Sequence, residues 1–223
     1  MDAELLIRTF PRIYHMAHID AWDGIARHGL LSTSALLDLF EIQGPRRLAI
    51  ESCRRPQNVL IEHPVHGRAV IRDNKPMDDV GLRRALRGID PEGWYRLLNG
   101  KVFFWLTESR LSTLLAAGAY RSESHCVIVV RTRELLERHS DRVSLCPMNS
   151  GCTKPFPHPR SPQIFQHIAD YPFDHWSSKR GSAIKAVVEL AIDYDVSDLR
   201  DFVQTVSIRN KDGIVREMIR NGS

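Results

Sequence analysis

Residues 101–117 read KVFFWLTESRLSTLLAA. Lys101 to Leu106 is a run of bulky and aromatic side chains that favours a strand. Thr107 belongs to the small set of residues that cap a helix by accepting from one of its free N–H groups, and Glu108 to Ala117 reads as that helix. The same strand-then-helix order recurs on both sides. Downstream, His125 to Val130 is an apolar strand and Thr132 to His139 a short helix. Upstream, Arg12 to Ala17 reads as a strand. Ile19, Trp22, Ile25 and Ala26 then recur at helical steps, and Gly29 stands where a helix stop wants glycine. Ser32-Thr33-Ser34 caps a second helix from Ala35 to Phe40.

Residues 41–80 read as irregular chain with short strands, Gly44-Pro45 ending a helix and Gly67 to Ile71 forming a strand. Gly81 to Arg87 is amphipathic, and Pro91 to Leu98 starts a helix with proline in its first turn. Prolines at 147, 155, 157, 159 and 162 exclude regular structure and predict a long loop over the surface. Lys185 to Ile192 predicts a strand interrupted by one acid, Glu189, and Val203 to Ile208 a final strand. Short strands and short helices without a regular βαβ rhythm indicate an α+β fold, a mixed sheet core with short flanking helices. One domain is expected over 1–209, with a flexible tail over 210–223.

The chain has 223 residues, 43% hydrophobic and 26% charged, which argues against a disordered or fibrous protein. A globule of this size buries about 70% of its extended-chain surface, so no disulfide or metal staple is required. No apolar run approaches the roughly 18 residues of a membrane span, and the opening MDAELLIRTFPR lacks a signal-peptide core, so a soluble cytoplasmic protein with no membrane partner is expected. Lys and Arg number 31 against 27 Asp and Glu, a net +4 that permits an anionic partner without demanding one. Four cysteines include no CxxC pair, and Cys146 and Cys152 near His158 match no zinc spacing, so no metal is expected.

Glu189 is the most informative single residue. An ionised glutamate inside Val-Val-Glu-Leu-Ala-Ile costs several kcal/mol if it is buried without a partner. Strand alternation gives it one face with Val187 and Ala191, and Val188 and Leu190 the other. The residue is then either a solvent-facing side chain on an edge strand or a carboxylate held in a cleft.

The stretch YHMAHIDAWDGIARHGL (14–30) resembles the opening of many ADP-ribosyltransferases, a strand carrying tyrosine-histidine followed by a helix that ends in glycine and an apolar residue. It is more similar still to the DarT-type nucleic-acid ADP-ribosyltransferase toxins. His18 and Asp20 match that opening, and Ala21 stands where the family has asparagine. Three further segments agree in order. AIESCRRP (49–56) resembles the family's basic segment, VFFWLTESRLSTLLAAGAY (102–120) its aromatic strand and helix, and ADYPFDHW (169–176) with KRGSAIKAVVELAIDYDV (179–196) its closing region. Residues 57–100 are longer than the family's equivalent.

The resemblance implies an ADP-ribosyltransferase-like fold and an NAD-dependent mono-ADP-ribosyltransferase, a glycosyltransferase-class enzyme that modifies a nucleobase in DNA or RNA as a toxin or defence enzyme, with an antitoxin protein as partner. It implies Glu189 and Arg54 as catalytic residues, and His15, His18, Asp20 and Phe104 as contacts to NAD, which is substrate. The residue types suit the chemistry. A carboxylate stabilises the cation that develops as the nicotinamide–ribose bond breaks, and an arginine offers charge and fixed donors to a pyrophosphate. Two alternatives stand beside this: a non-catalytic nucleic-acid or ADP-ribose-binding module of the same fold, and an NAD glycohydrolase with water as acceptor.

Overall fold

The computed structural model describes residues 1–221. In chain order its helices and strands are α1 (Ala3–Thr9), β1 (Arg12–His18), α2 (Trp22–His28), β2 (Leu30–Leu31), α3 (Thr33–Leu39), α4 (Gly44–Glu51), β3 (Val59–His63), β4 (Gly67–Ile71), α5 (Asp79–Ala85), α6 (Pro91–Asn99), β5 (Lys101–Trp105), α7 (Glu108–Ala116), β6 (His125–Arg131), α8 (Thr132–His139), β7 (Val143–Cys146), β8 (Gln166–His167), α9 (Phe173–Arg180), α10 (Ala183–Ala186), β9 (Glu189–Asp193), β10 (Asp195–Val196), β11 (Val203–Asn210) and β12 (Gly213–Arg220). The class is α+β, as the sequence pattern predicts.

Eight strands form one sheet in the order β12-β11-β6-β1-β5-β9-β7-β8, every neighbouring pair antiparallel. Alternation sets its two faces. Ile13, Phe104, Ile128, Leu190 and Ile192 enter the main core, under Leu6 of α1, Leu135 and Leu136 of α8, and Tyr171. Burying a side chain such as Phe104 or Leu190 contributes about 2 kcal/mol each. The opposite face carries Tyr14, Met16, Val127 and Val129 beneath Leu111 and Leu115 of α7. Helix caps are local and legible: Ser32 accepts from Ala35 N–H at 3.1 Å, and Thr107 from Arg110 N–H at 3.3 Å.

The central strands do not run together along their whole length. β1 follows β6 over seven residues, but it meets β5 only at Tyr14 opposite Trp105. Beyond that pair the two strands part, and a cleft opens between them. Its far side is closed by α2, β2 and α3, and by the β3–β4 hairpin. The hairpin packs on α3 through Leu37, Phe40, Ile61 and Ile71.

Four expectations are corrected. Gly44-Pro45 begins α4, with proline in the first turn where its missing N–H is harmless, rather than ending a helix. Residues 183–186 turn into α10, so β9 starts at Glu189 itself. The 146–162 loop is not simply laid over the surface, because Ser150, Thr153 and Arg160 within it are buried. The stretch from 210, expected as a flexible tail, carries β12, which closes a hairpin on β11; residues 222–223 lie outside the described chain.

Gly29 fixes the rear wall of the cleft. Its φ of 79° and ψ of −177° lie in a region that only glycine adopts freely, and an added Cβ would stand 2.3 Å from the Ser197 Cα. That close approach lets β10 pair with β2. Gly29→Ala is therefore expected to cost about 3 kcal/mol or more. Gly44→Ala, at a φ of 63° with open space around the new methyl, should cost only about 1 kcal/mol. Urea denaturation of both variants measures the difference.

Candidate active site

His15 lies where the strands divide. Its Nδ1 is 2.8 Å from the Phe103 carbonyl oxygen, which can only accept, so Nδ1 carries the proton. Burial holds the imidazole down at about 4; the bond to Phe103 opposes that shift and the Arg72 charge reinforces it. The ring is neutral at physiological pH, and its Nε2 is an acceptor. Its edge meets Phe104, the rings 5.7 Å apart.

Glu189 opens β9, between β5 and β7, opposite Trp105 on one side and Cys146 on the other. It is 4% exposed, which disposes of the solvent-facing, edge-strand reading. The Ser150 N–H donates to its Oε2 at 3.1 Å. Desolvation pushes its carboxyl up to about 7, against the Ser150 hydrogen bonds and the more distant charges of Arg160 and Arg110. Those arginines act on it through space and not through a hydrogen bond, so the carboxylate is half-compensated and keeps its acceptor capacity.

One cavity of about 330 Å³ takes in both residues, at the lower end of the usual range for ligand sites, about 300–1,000 Å³. Residues 15–18 of β1 and 101–105 of β5 line it from the two parted strands, Ser32 and Thr33 from the start of α3, 68–71 from β4, and Asn149 to Gly151 from the long loop.

The sequence-derived candidates divide. His15, His18, Phe104 and Glu189 all line the cavity. Phe104 is 1% exposed and anchored in the core, whereas its half-buried neighbours Phe103 and Trp105 offer the accessible aromatic surface. Asp20 is not brought in: its side chain is 81% exposed, 3.7 Å from His18, because the chain has already turned outward before α2. Arg54 is not brought in either. Its guanidinium donates to the Met77 and Lys75 carbonyls and holds the segment before α5. The adjacent Arg55 lines the cavity instead, buried and donating to Ile50 and Arg72 carbonyls and to Asn99.

Ser150 and Arg160 escape the sequence reading. Arg160 donates to the carbonyls of Ser150, Cys152 and His158 at 2.9, 2.8 and 3.1 Å, and so sets the loop that meets Glu189. A signal for it exists. Prolines supply no N–H, so a buried proline-rich loop needs a side chain with several donors for its carbonyls, and His158-Pro159-Arg160 offers one.

Among the described residues no group of three or more His, Cys, Asp or Glu is placed to hold a metal ion, and no helix is long and apolar enough to cross a membrane. Fold and cavity together define an α+β protein with a buried, partly compensated carboxylate in a cleft between parted strands. The chain belongs to a family of unknown function, DUF7002, whose family model matches residues 11–203. No curated protein matches the chain.

The Glu189 shift has a sign that denaturation can read. The folded protein holds this proton up to about pH 7, the unfolded chain only to about 4.5, so this group's stabilisation is full below 4.5 and is lost as pH rises through that window. Glu189→Gln removes the dependence. Its stability relative to wild type is expected to increase from pH 4.5 to pH 8 by up to about 3 kcal/mol, measured by urea denaturation at each pH.

Proposed function

We propose that this chain is an NAD-dependent mono-ADP-ribosyltransferase that modifies a nucleobase in DNA or RNA, a DarT-like enzyme of the toxin or defence type, restrained by an antitoxin partner. The observation that carries the reading is that His15 and Glu189, distant in sequence, line one cavity between parted strands. A dinucleotide needs its two ends gripped by separate elements, and β1 and β9 are separate.

In this reading Glu189 accepts a hydrogen bond from a ribose hydroxyl and stabilises the positive charge that develops at C1′. The N-glycosidic bond breaks, and nicotinamide leaves with the bonding electron pair. A ring or amino nitrogen of the acceptor base then bonds C1′ and gives its proton to solvent. His15 Nε2 accepts from a hydroxyl of the other ribose, Phe103 and Trp105 offer faces to nicotinamide, and Arg55 and Arg72 bring positive charge to the cavity wall. The Arg54 role passes to Arg55, and Asp20 has none.

Only an ionised Glu189 stabilises a cation, so kcat/KM for NAD should rise with pH through about 7 and level off above it. Glu189→Gln should lower nicotinamide release about 100-fold or more while NAD affinity changes far less, because the lost interaction belongs to the transition state. Radiolabelled NAD with DNA, RNA or water alone as acceptor measures transfer against hydrolysis. A folded Glu189→Gln variant with wild-type turnover would eliminate the catalytic role. NAD binding without turnover in the wild type would favour a binding module.

A further inference from the structure

Beyond Ser150 the proline-rich loop leaves the cavity and runs beside α5. The Thr153 N–H donates to the Pro76 carbonyl, and its hydroxyl accepts from the Asp78 N–H at 2.8 Å. The Arg160 N–H donates to the Ala85 carbonyl, and the Arg87 N–H to the Arg160 carbonyl. Between those anchors Pro157 packs on α5 at Gly81, where an added Cβ would stand 3.5 Å from the proline Cβ. Loop and helix thus form one ridge. α5 buries Gly81, Leu82 and Ala85 and turns Val80, Arg83 and Arg84 outward. Beside them the loop exposes Lys154 and Phe156, and Arg87 is exposed just past the helix end.

Two properties set this face apart. Its cations are uncommitted: Arg83, Arg84, Arg87 and Lys154 form no ion pair among the described residues, because the neighbouring acids are engaged elsewhere. Asp78 accepts from the Gly81 N–H at 2.8 Å and Asp90 from the Gly93 N–H at 2.7 Å, each capping a helix. Asp79 accepts from the Tyr95 hydroxyl at 2.6 Å, and Glu92 pairs with Arg96. The second property is Phe156, 74% exposed where every other phenylalanine is buried or half-buried. Prolines on both sides restrict its backbone, so covering the ring costs little ordering entropy.

We infer that this ridge docks a single-stranded nucleic acid, with phosphates on its arginines and Lys154 and a base stacked on Phe156. The inference rests on the transferase reading and names where that enzyme holds its acceptor. The loop links the two places: Asn149 to Gly151 line the cavity, and six residue steps keep Phe156 within about 22 Å of Ser150. Phosphates need the cations, a base needs the aromatic face, and the ridge supplies both. A duplex keeps its bases stacked on one another and leaves the ring uncovered. An acidic peptide would use the cations and gain nothing from Phe156.

The test is fluorescence anisotropy of the full chain with fluorescein-labelled DNA and RNA single strands of about 12 mixed-sequence nucleotides, beside a labelled peptide of about 12 glutamates. Wild-type binding to a strand should weaken as salt rises. Arg83→Gln/Arg84→Gln should bind about 10-fold more weakly or worse at about 0.1 M salt, with a log K against log salt slope shallower by about 0.7 to 1.4. Phe156→Ala should lose about 5- to 100-fold with the slope unchanged. All three positions are exposed, so the fold should tolerate both changes. Lys211→Gln, in the β11–β12 turn outside the ridge, should bind as wild type. No strand binding by the wild type, or wild-type affinity in either variant, overturns the inference. Equal binding of the glutamate peptide overturns it in favour of an acidic protein partner. Nicotinamide release by the wild type without nucleic acid is read separately. Release without strand binding defeats the docking surface and spares the transferase, whereas Phe156-dependent strand binding without release defeats the transferase and spares the surface.

Discussion

The structure depends on one hydrogen bond, from His15 Nδ1 to the Phe103 carbonyl. A carbonyl in the middle of a sheet loses its ladder partner when the neighbouring strand departs, and an unpaired buried carbonyl costs about as much as a lost hydrogen bond. β1 departs from β5 directly after Tyr14 and Trp105, and the imidazole takes the vacated position. The sheet can therefore open at its centre, between its fourth and fifth strands, without stranding backbone groups. A cleft at that place is walled by rigid elements on both sides, which a cleft at a sheet edge is not. The same bond fixes the tautomer, so the ring presents an acceptor to the cavity and, being neutral, adds no charge to compete with Arg55 and Arg72.

Glu189 obeys the complementary constraint. Full pairing with an arginine would hold its carboxyl low and neutralise the charge. Full burial with no partner would keep it protonated at any physiological pH. The backbone N–H of Ser150 and two arginines at a distance lie between those limits, and the carboxyl titrates near 7. A group so poised retains negative charge that is not already committed, which a carboxylate meeting a developing cation requires. The cost is borne elsewhere in the fold, by the strands β5 and β7 that flank β9 on both edges.

Much of this was legible in the residues, and the limits follow from physics. β1 and β6 are apolar runs that bury side chains on both faces of the sheet, β5 is an aromatic run that buries one face, and the nearby caps and stops at Gly29, Ser32 and Thr107 act within a few residues, so both can be read locally. Gly44-Pro45 was ambiguous because proline both follows helices and begins them, and only the packing of Ile50 decides for α4. Glu189 was legible as an anomaly of charge in an apolar run; its position at the start of a strand was not, since Ala186-Val187-Val188 just before it is as apolar as a strand would be. The choice between Arg54 and Arg55 had no local signal. In irregular chain neither period applies, and the side chains were sorted by carbonyls at Met77 and Arg72 that lie about 20 residues away. β12 was obscured by its exposed face, which reads as solvated tail because its partner, β11, covers only one edge.

The 147–162 loop shows how a segment without secondary structure becomes part of the site. Its prolines remove N–H donors, so its carbonyls have few partners of their own, and Arg160 satisfies three of them from the inside. Burying that guanidinium is tolerable because each of its three nitrogens donates to a carbonyl, and burial lowers its hold on its proton. The bond to the Ser150 carbonyl orients the neighbouring peptide, and the Ser150 N–H is the group that meets Glu189. Arg160 thus acts on the carboxylate twice, as a distant charge and as the brace for its backbone donor, the Ser150 N–H. The brace and the charge cannot be separated by moving the loop, because Thr153 ties it to Asp78 and a bridge ties Arg160 to Leu86. The segment from Pro76 to Arg87 is therefore what the loop leans on, through the Thr153 N–H to the Pro76 carbonyl and the Arg160 N–H to the Ala85 carbonyl, and it holds the carboxylate's donor in place.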